Sequence, residues 1–412
     1  MSTQPGDSEP NEAAVSSVGP PTGQGLAIQI VSFDWPWPAN YGGAIDVAHK
    51  IEALLKQGVD VVLHVIAYPC KHAEAAPTGY PGALTVFNYE RRGRASLLSR
   101  QPFIVASRKA PRLLPTLASG PEVILFEGIH TTACLGHPRL AGHHQWLRIH
   151  NREQAYYEGL ARSTKNLLNR GYFTLEARKL AAYEAKALAA SDHVFCISQQ
   201  DLPWATRHAP QRVSLLTPFT ATGSPATMVT SEHYVLFHAA FDVADNETAA
   251  LRMIERVGRH GGLHLVLAGR RPGPRLLDAV SSNTGVTLKA NPASDEMLAL
   301  IAGADAVLLD SSNPAGFKLK LLESLRSARH VIATPPVLAG AVDLARAAEQ
   351  IGLLKECQTE QEWQDALERI SSAPDAAGVT KAERERLLQP YGSDQLVRVL
   401  IDKLKESTFT RN

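Results

Sequence analysis

Two lysines and a glutamate stand close together in Gly316-Phe317-Lys318-Leu319-Lys320-Leu321-Leu322-Glu323. Paired ammonium groups suit phosphate, and a carboxylate within one helical turn of Lys320 suits the hydroxyls of a ribose or sugar. The flanking residues say how these groups are held. Ala306 to Leu309 is an apolar run that predicts a strand, and Asp310 to Gly316 is rich in turn formers and predicts a loop. Leu319, Leu322, Glu323 and Arg326 then recur at helical spacing. Gly316 therefore stands where a strand hands over to the amino end of a helix. Unpaired backbone N–H groups and the positive pole of the helix dipole gather there and favour an anion. The plain alternative is a strand–loop–helix unit with solvated lysines.

A second stretch carries an imidazole: Arg148-Ile149-His150-Asn151-Arg152-Glu153-Gln154-Ala155-Tyr156-Tyr157. Trp146 to His150 reads as a strand, so His150 sits at its carboxyl edge, where open α/β sheets bind ligands. An imidazole there can exchange a proton near neutral pH or donate to a hydroxyl. A histidine satisfied by nearby backbone is the simpler reading. His130, just after the strand Glu122 to Glu127, has the same two readings with less around it. Glu153 either orients a neighbour or opens the next helix, where an acid is favourable. Gly42 and Gly43 lie between the strand Leu26 to Phe33 and a helix from Ala44 to Gln57. Such a pair lets backbone approach a ligand, or simply makes a tight turn. Trp35 and Trp37 in the same loop either stack on a sugar or lipid or pack beneath the loop. Arg270 and Arg271 follow the strand Leu263 to Ala268, and guanidinium groups match phosphate in fork geometry. The alternative is two solvent-facing arginines.

These groups need a frame. Val59 to Ala67 completes a strand–helix–strand unit, which argues for a parallel sheet. Further strands are predicted at 85–88, 192–198, 234–238, 286–289 and 331–333, the last stopped by Pro335-Pro336. Helices are predicted at 163–190, from Asn246 through Val257, at 295–301 and at 393–407. A chain of 412 residues sets the expectation of two domains. The division reads as a disordered tail at 1–25, a domain at 26–216, a linker at 217–232, a domain at 233–391 and a terminal helix at 392–412. Lys+Arg 42 against Asp+Glu 41 leaves a net charge of +1, so no global field favours nucleic acid or an anionic membrane. The basic segment Arg91, Arg92, Arg94 and Arg100 is either a solvated face or a local meeting point for a phosphorylated acceptor or a membrane surface. Cys70, Cys134, Cys196 and Cys357 form no CxxC pair and read as free thiols rather than disulfides or zinc ligands. No apolar run approaches the roughly 20 residues that span a bilayer. The amino terminus lacks a signal-peptide core. The expected location is the cytoplasm, with peripheral membrane contact open. There is no P-loop, Asp-x-Asp or zinc spacing, and no metal site is expected.

The Gly-x-Lys-x-Lys-Leu-Leu-Glu segment, with Arg329-His330-Val331-Ile332-Ala333-Thr334 after it, resembles the donor-binding segment of group 1 (family 4) glycosyltransferases. The run Arg148-x-His150-Asn151-x-Glu153 resembles that of a bacterial subset of the same family. The stretch from Ala190 to Asp201 is similar to the family's last parallel strand of the first domain, with Ser198 and Asp201 read as cap and turn residues. The resemblance implies an α/β protein of the GT-B fold, two Rossmann-like domains whose parallel sheets face a central cleft. It implies that Gly42, Gly43, Asn246, Arg270, Gly316, Phe317, Lys318, Lys320 and Glu323 bind a nucleotide-sugar donor. Glu323 would meet the ribose and Lys320 the diphosphate. His150, Lys320 and Glu323 would carry the catalysis. Where family members have glycine, arginine, lysine and glutamate, this chain has Ala239, Ala240, Asp245 and Ala315.

The implied reaction moves a hexose from a nucleotide-diphosphate sugar to a glycan or lipid-linked acceptor, with retention, in surface polysaccharide synthesis. No metal, no cofactor beyond the donor and no nucleic-acid partner are implied. Two alternatives stay open. A nucleotide-sugar epimerase on the same fold would turn over donor without acceptor. A non-catalytic partner of an active transferase is the reading that the alanines at 239, 240 and 315 favour.

Overall fold

The computed structural model describes residues 25–39, 41–68, 77–93, 96, 99–164, 166–220, 233–373 and 378–409. Residues 1–24 of the predicted tail, Cys70, Arg94 and residues 221–232 of the predicted linker lie outside the described residues. The chain groups into two compact units. One comprises Met1–Ile149, Arg178–Val194 and Val397–Asn412; the other comprises His150–Ala177 and Phe195–Leu396.

Seven strands form the first sheet: β1 (Ala27–Ser32), β2 (Asp60–Ala67), β3 (Leu84–Glu90), β4 (Val123–Glu127), β5 (His144–Ile149), β6 (His193–Cys196) and β7 (Val213–Leu215). Their order is β3-β2-β1-β4-β5-β6-β7. Ile30 of β1 pairs with Leu63 of β2 on one side and Leu125 of β4 on the other, both in parallel register. All five residues of β4 are buried, as a strand covered on both faces requires.

The second sheet holds β8 (Val235–His238), β9 (Leu265–Gly269), β10 (Val286–Ala290), β11 (Ala306–Leu309), β12 (Val331–Ala333) and β13 (Leu354–Glu356). Its order is β10-β9-β8-β11-β12-β13, parallel throughout. The strand period of two sorts its side chains into two cores. Leu236, Val307 and Leu309 pack with Leu321, Leu322 and Leu325 of the helix Leu319–Ser327. Val235, Phe237 and Leu308 pack on the opposite face with Met253 and Val257 of the helix Ala244–His260. Strand order reverses between β1 and β4 and again between β8 and β11. At such reversals the loops after the strands diverge and leave a crevice at the carboxyl ends, where this architecture binds ligands.

Several expectations need correction. The helix expected at 163–190 starts later, at Leu167–Ala190; a separate helix, Glu153–Ser163, precedes it and ends at Thr164, whose backbone is extended (φ −79°, ψ 134°). Gly42 and Gly43 are not a loop before the helix but its first two residues, in Gly42–Lys56. Pro335-Pro336 ends a strand and also opens a helical turn, Pro335–Leu338, because proline suits a first turn. β7 and β13 went unpredicted, because neither Val213-Ser214-Leu215 nor Leu354-Lys355-Glu356 is an unbroken apolar run. The first residues of the predicted linker are packed: Phe219 is fully buried, and Ser393 Oγ donates to the Thr220 carbonyl at 2.6 Å.

Candidate functional site

After β11 the chain turns through Asp310–Lys318 before the helix Leu319–Ser327 begins. Gly316 takes φ +69° in that turn. A Cβ there would lie 2.1 Å from Asn151 Oδ1 and 3.1 Å from the His150 carbonyl oxygen. Backbone conformation and close approach therefore both require glycine. The same contact brings together the two stretches singled out in the sequence, since His150 and Asn151 lie against the turn that opens the lysine helix. Gly340 also packs on this turn; a Cβ there would come 2.4 Å from the Gly316 carbonyl oxygen. Gln200 Nε2 donates to the Pro314 carbonyl at 2.7 Å and pins the loop further.

Lys320 reaches back to the strand end. Its Nζ donates to the Asp310 carbonyl at 3.1 Å and lies 5.4 Å from the centre of the Phe237 ring. Burial lowers its pKa to about 8, and Lys318 pushes the same way. Lys318 Nζ donates to the Ala315 carbonyl at 2.7 Å. Burial lowers its pKa as well, with Asp245 opposing. Burial raises the pKa of Glu323, with Arg326 opposing. Two poorly hydrated ammoniums and a poorly hydrated carboxylate gain from a ligand that brings phosphate to the first and hydroxyls to the second. Phe317 does not line this arrangement with its ring. It is 8% exposed and belongs to the core cluster that also holds Leu321 and Leu338.

His238 was missed by sequence reasoning as a site residue. It ends β8 at the strand reversal, is 4% exposed, and has Nε2 3.2 Å from Ser324 Oγ. Ser324 Oγ donates to the Lys320 carbonyl at 2.7 Å, so His238 Nε2–H is the donor to Ser324 and Nδ1 carries no proton. Burial, with Lys320 nearby, lowers the His238 pKa to about 3, so the ring is neutral at pH 7. The available signal was its place, a histidine at the carboxyl end of a strand.

The loop after β8 departs from the expected cationic pattern. Asn246 Nδ2 donates to the Ala240 carbonyl at 2.9 Å and braces that loop. Asp245 accepts from Ser311 Oγ at 2.7 Å, from Ser312 N at 3.2 Å and from Ser312 Oγ. Burial pushes Asp245 up, but these hydrogen bonds outweigh it and hold the carboxyl below the usual range. Arg270 and Arg271 share one carboxylate, with Asp242 oxygens at 3.6 Å and 3.2 Å. The tight backbone approach beside Ala239 is supplied by Gly269, where a Cβ would lie 1.8 Å from the Ala239 carbonyl oxygen. Ser198 and Asp201 occupy helix-start positions, yet neither side chain makes a capping hydrogen bond. Burial instead raises the Asp201 pKa to about 6, with Arg152 opposing.

In the first unit, a Cβ at Gly43 would come 2.7 Å from Phe33 Cζ, so the glycine admits that ring. Trp35 and Trp37 are 7% and 8% exposed; packing beneath the loop is the reading the structure adopts. The His130 ring lies 5.4 Å from the Phe33 ring. The helix that starts with the glycine pair also carries half of a buried charge quartet. Lys50 Nζ donates to Glu127 Oε1 at 2.5 Å. Arg148 grips Asp46 with both Nη groups, the Nη2–Oδ1 bond being 3.1 Å, and reaches Glu127 Oε2 at 3.4 Å. Burial alone would lower the Arg148 pKa, but Asp46 and Glu127 outweigh it. The quartet fastens β4 and β5 to the helix Gly42–Lys56.

Residues 232–373 match the family Glycosyl transferases group 1. A protein of Klebsiella pneumoniae, titled an uncharacterized 44.6 kDa protein in cps region, is 24% identical over 325 residues, covering 74% of this chain and 82% of its own length. Among solved structures, sucrose-phosphate synthase from Thermosynechococcus elongatus is similar with a TM-score of 0.71 at 14% identity, over 94% of this chain and 100% of that one. WaaG, a glycosyltransferase involved in lipopolysaccharide biosynthesis, gives 0.59 at 12% identity, over 89% and 94%. The E. coli structure titled trehalose-6-phosphate bound with UDP-2-fluoro glucose gives 0.56 at 11% identity, over 92% and 99%. The shared fold is GT-B, two α/β domains with parallel sheets.

Proposed function

We propose that this chain, with its group 1 glycosyltransferase match at 232–373, moves a hexose from a nucleotide-diphosphate sugar to a glycan or lipid-linked acceptor. The observation that carries this is the turn at Gly316. It presents a helix amino end and two half-buried lysines, and it packs against His150 and Asn151. Breaking the sugar–phosphate bond builds positive charge on the sugar ring and negative charge on the departing diphosphate. Lys318, Lys320 and the helix amino end stabilise the leaving group, in place of a divalent ion. Glu323 accepts from the ribose hydroxyls, and its poor hydration makes that exchange favourable. His150 meets the transferred sugar, and transfer proceeds with retention. Gly42, Gly43, Asn246 and Arg270 are the outer donor contacts. The amino-terminal domain at 26–216 would take the acceptor and the domain at 233–391 the donor.

Three findings support the substrate class. A neighbour of the same fold is bound with UDP-2-fluoro glucose, another is involved in lipopolysaccharide biosynthesis, and the Klebsiella pneumoniae relative lies in a cps region. Surface polysaccharide assembly in the cytoplasm fits all three. No helix among the described residues is long and apolar enough to cross a membrane. Peripheral contact is supported by Leu167 and Leu168, which are 79% and 84% exposed at the start of a helix with Arg170 exposed beside them.

A thermal-shift screen against UDP, GDP and ADP sugars tests the reading. One donor class should stabilise the wild type but neither Lys320→Ala nor Glu323→Ala. Equal stabilisation of all three proteins overturns it. A non-catalytic partner on the same fold is the second reading, favoured by Ala240 and Asp245 standing where the resembling family has cations. Hydrolysis of the donor by purified protein decides against that reading.

A further inference from the structure

We infer that Asp245 is an internal anion already seated on the loop that binds the donor's diphosphate, and that it sets how tightly that diphosphate is held. The inference rests on the proposed donor site. Its basis is geometric. The Asp245 carboxylate takes three donors from the β11 loop: Ser311 Oγ at 2.7 Å, Ser312 N at 3.2 Å and Ser312 Oγ. Hydroxyls and a backbone N–H at a strand-to-helix loop are what a phosphate oxygen would otherwise take. The loop is the one that leads through Gly316 to Lys318 and Lys320, and the Asp245 charge acts on both lysines.

An acid here has two effects of opposite sign. It ties the first turn of the helix Ala244–His260 to the β11 loop and so holds the loop in shape. It also places a negative charge among the groups that must receive a diphosphate. Arg252 offsets it only in part, because that guanidinium is shared. Asp310 is paired with Arg252 at 2.8 Å, and Arg270 and Arg271 already share Asp242. Diphosphate therefore binds against Asp245, or only after this carboxylate has left Ser311 and Ser312. A neutral amide of the same shape accepts from one serine hydroxyl, can donate from its NH2 to the other, and removes the charge.

Titration calorimetry with inorganic pyrophosphate and with UDP separates the two effects. Asp245→Asn should bind both about tenfold more tightly than wild type at low salt, with the gain shrinking at high salt. Asp245→Ala, which loses the bracing as well, should melt at a lower temperature than Asp245→Asn. If a folded Asp245→Asn binds pyrophosphate and UDP no better than wild type, Asp245 is only a brace and the inference is overturned. Binding that is indifferent to Lys320→Ala would instead remove the donor-site reading itself.

Discussion

Lys320 concentrates the electrostatic argument in one ammonium. Its pKa of about 8 lies below the ordinary value of 10.5, first because it is buried and second because Lys318 is near. Between those values the unfolded chain holds the proton and the folded one releases it. Folded stability therefore gains from this group as pH rises from about 8 to 10.5, with the penalty fully present below that window. An anionic ligand reverses the preference, because it favours the charged form. Calorimetry of UDP binding near pH 8.5, in buffers of different ionisation enthalpy, should register net proton uptake, and affinity should decline as pH climbs past about 8. Lys320→Met should abolish the uptake. A flat affinity across that range would contradict the assignment. His238 contributes no such titration. Its ring is already neutral, fixed by Ser324, which in turn holds the Lys320 carbonyl.

Among the elements, the joint between β4, β5 and the helix Gly42–Lys56 is the most exacting. Lys50, Glu127 and Arg148 are fully buried and Asp46 is 3% exposed, so their charges are satisfied by one another rather than by water. Removing one cation leaves a buried carboxylate without its partner. Arg148→Met should cost roughly 3–5 kcal/mol in urea unfolding, far more than an exposed arginine would. A loss under about 1 kcal/mol would mean that the quartet is not holding the strands. Arg148 stands two residues before His150 in sequence, so the strand edge from which His150 emerges inherits this rigidity.

For the whole molecule, a net charge of +1 gives no general attraction to an anionic bilayer, so any membrane contact would have to be local. The start of the helix Leu167–Ala190 supplies a local patch. Leu167, Leu168 and Leu175 are exposed, and Arg162 and Arg170 lie in the same stretch of chain. Leucines that enter the interface and arginines that meet lipid phosphate act together on such surfaces. The full chain should sediment with vesicles containing an anionic phospholipid more than with neutral ones, and less as salt increases. The double substitution Leu167→Glu, Leu168→Glu should release it. Sedimentation unchanged by that substitution would place any membrane contact elsewhere.

The sequence by itself determined most of the frame. Ala306–Leu309 and Val331–Ala333 were legible to the residue because a strand buried on both faces is an unbroken apolar run. Gly316 was legible as a strand-to-helix handover, since glycine before helical spacing has few other uses. Tertiary structure decided what those residues meet. No spacing rule places Asn151 against Gly316, sends the Phe317 ring into the core, or sets the Asp245 carboxylate on Ser311 and Ser312. Those pairs are 66 to 165 residues apart in the chain, and local pattern reports only on neighbours. The buried quartet was hidden for the same reason: Asp46, Lys50, Glu127 and Arg148 stand on three elements, and no local pattern pairs them before those elements fold together.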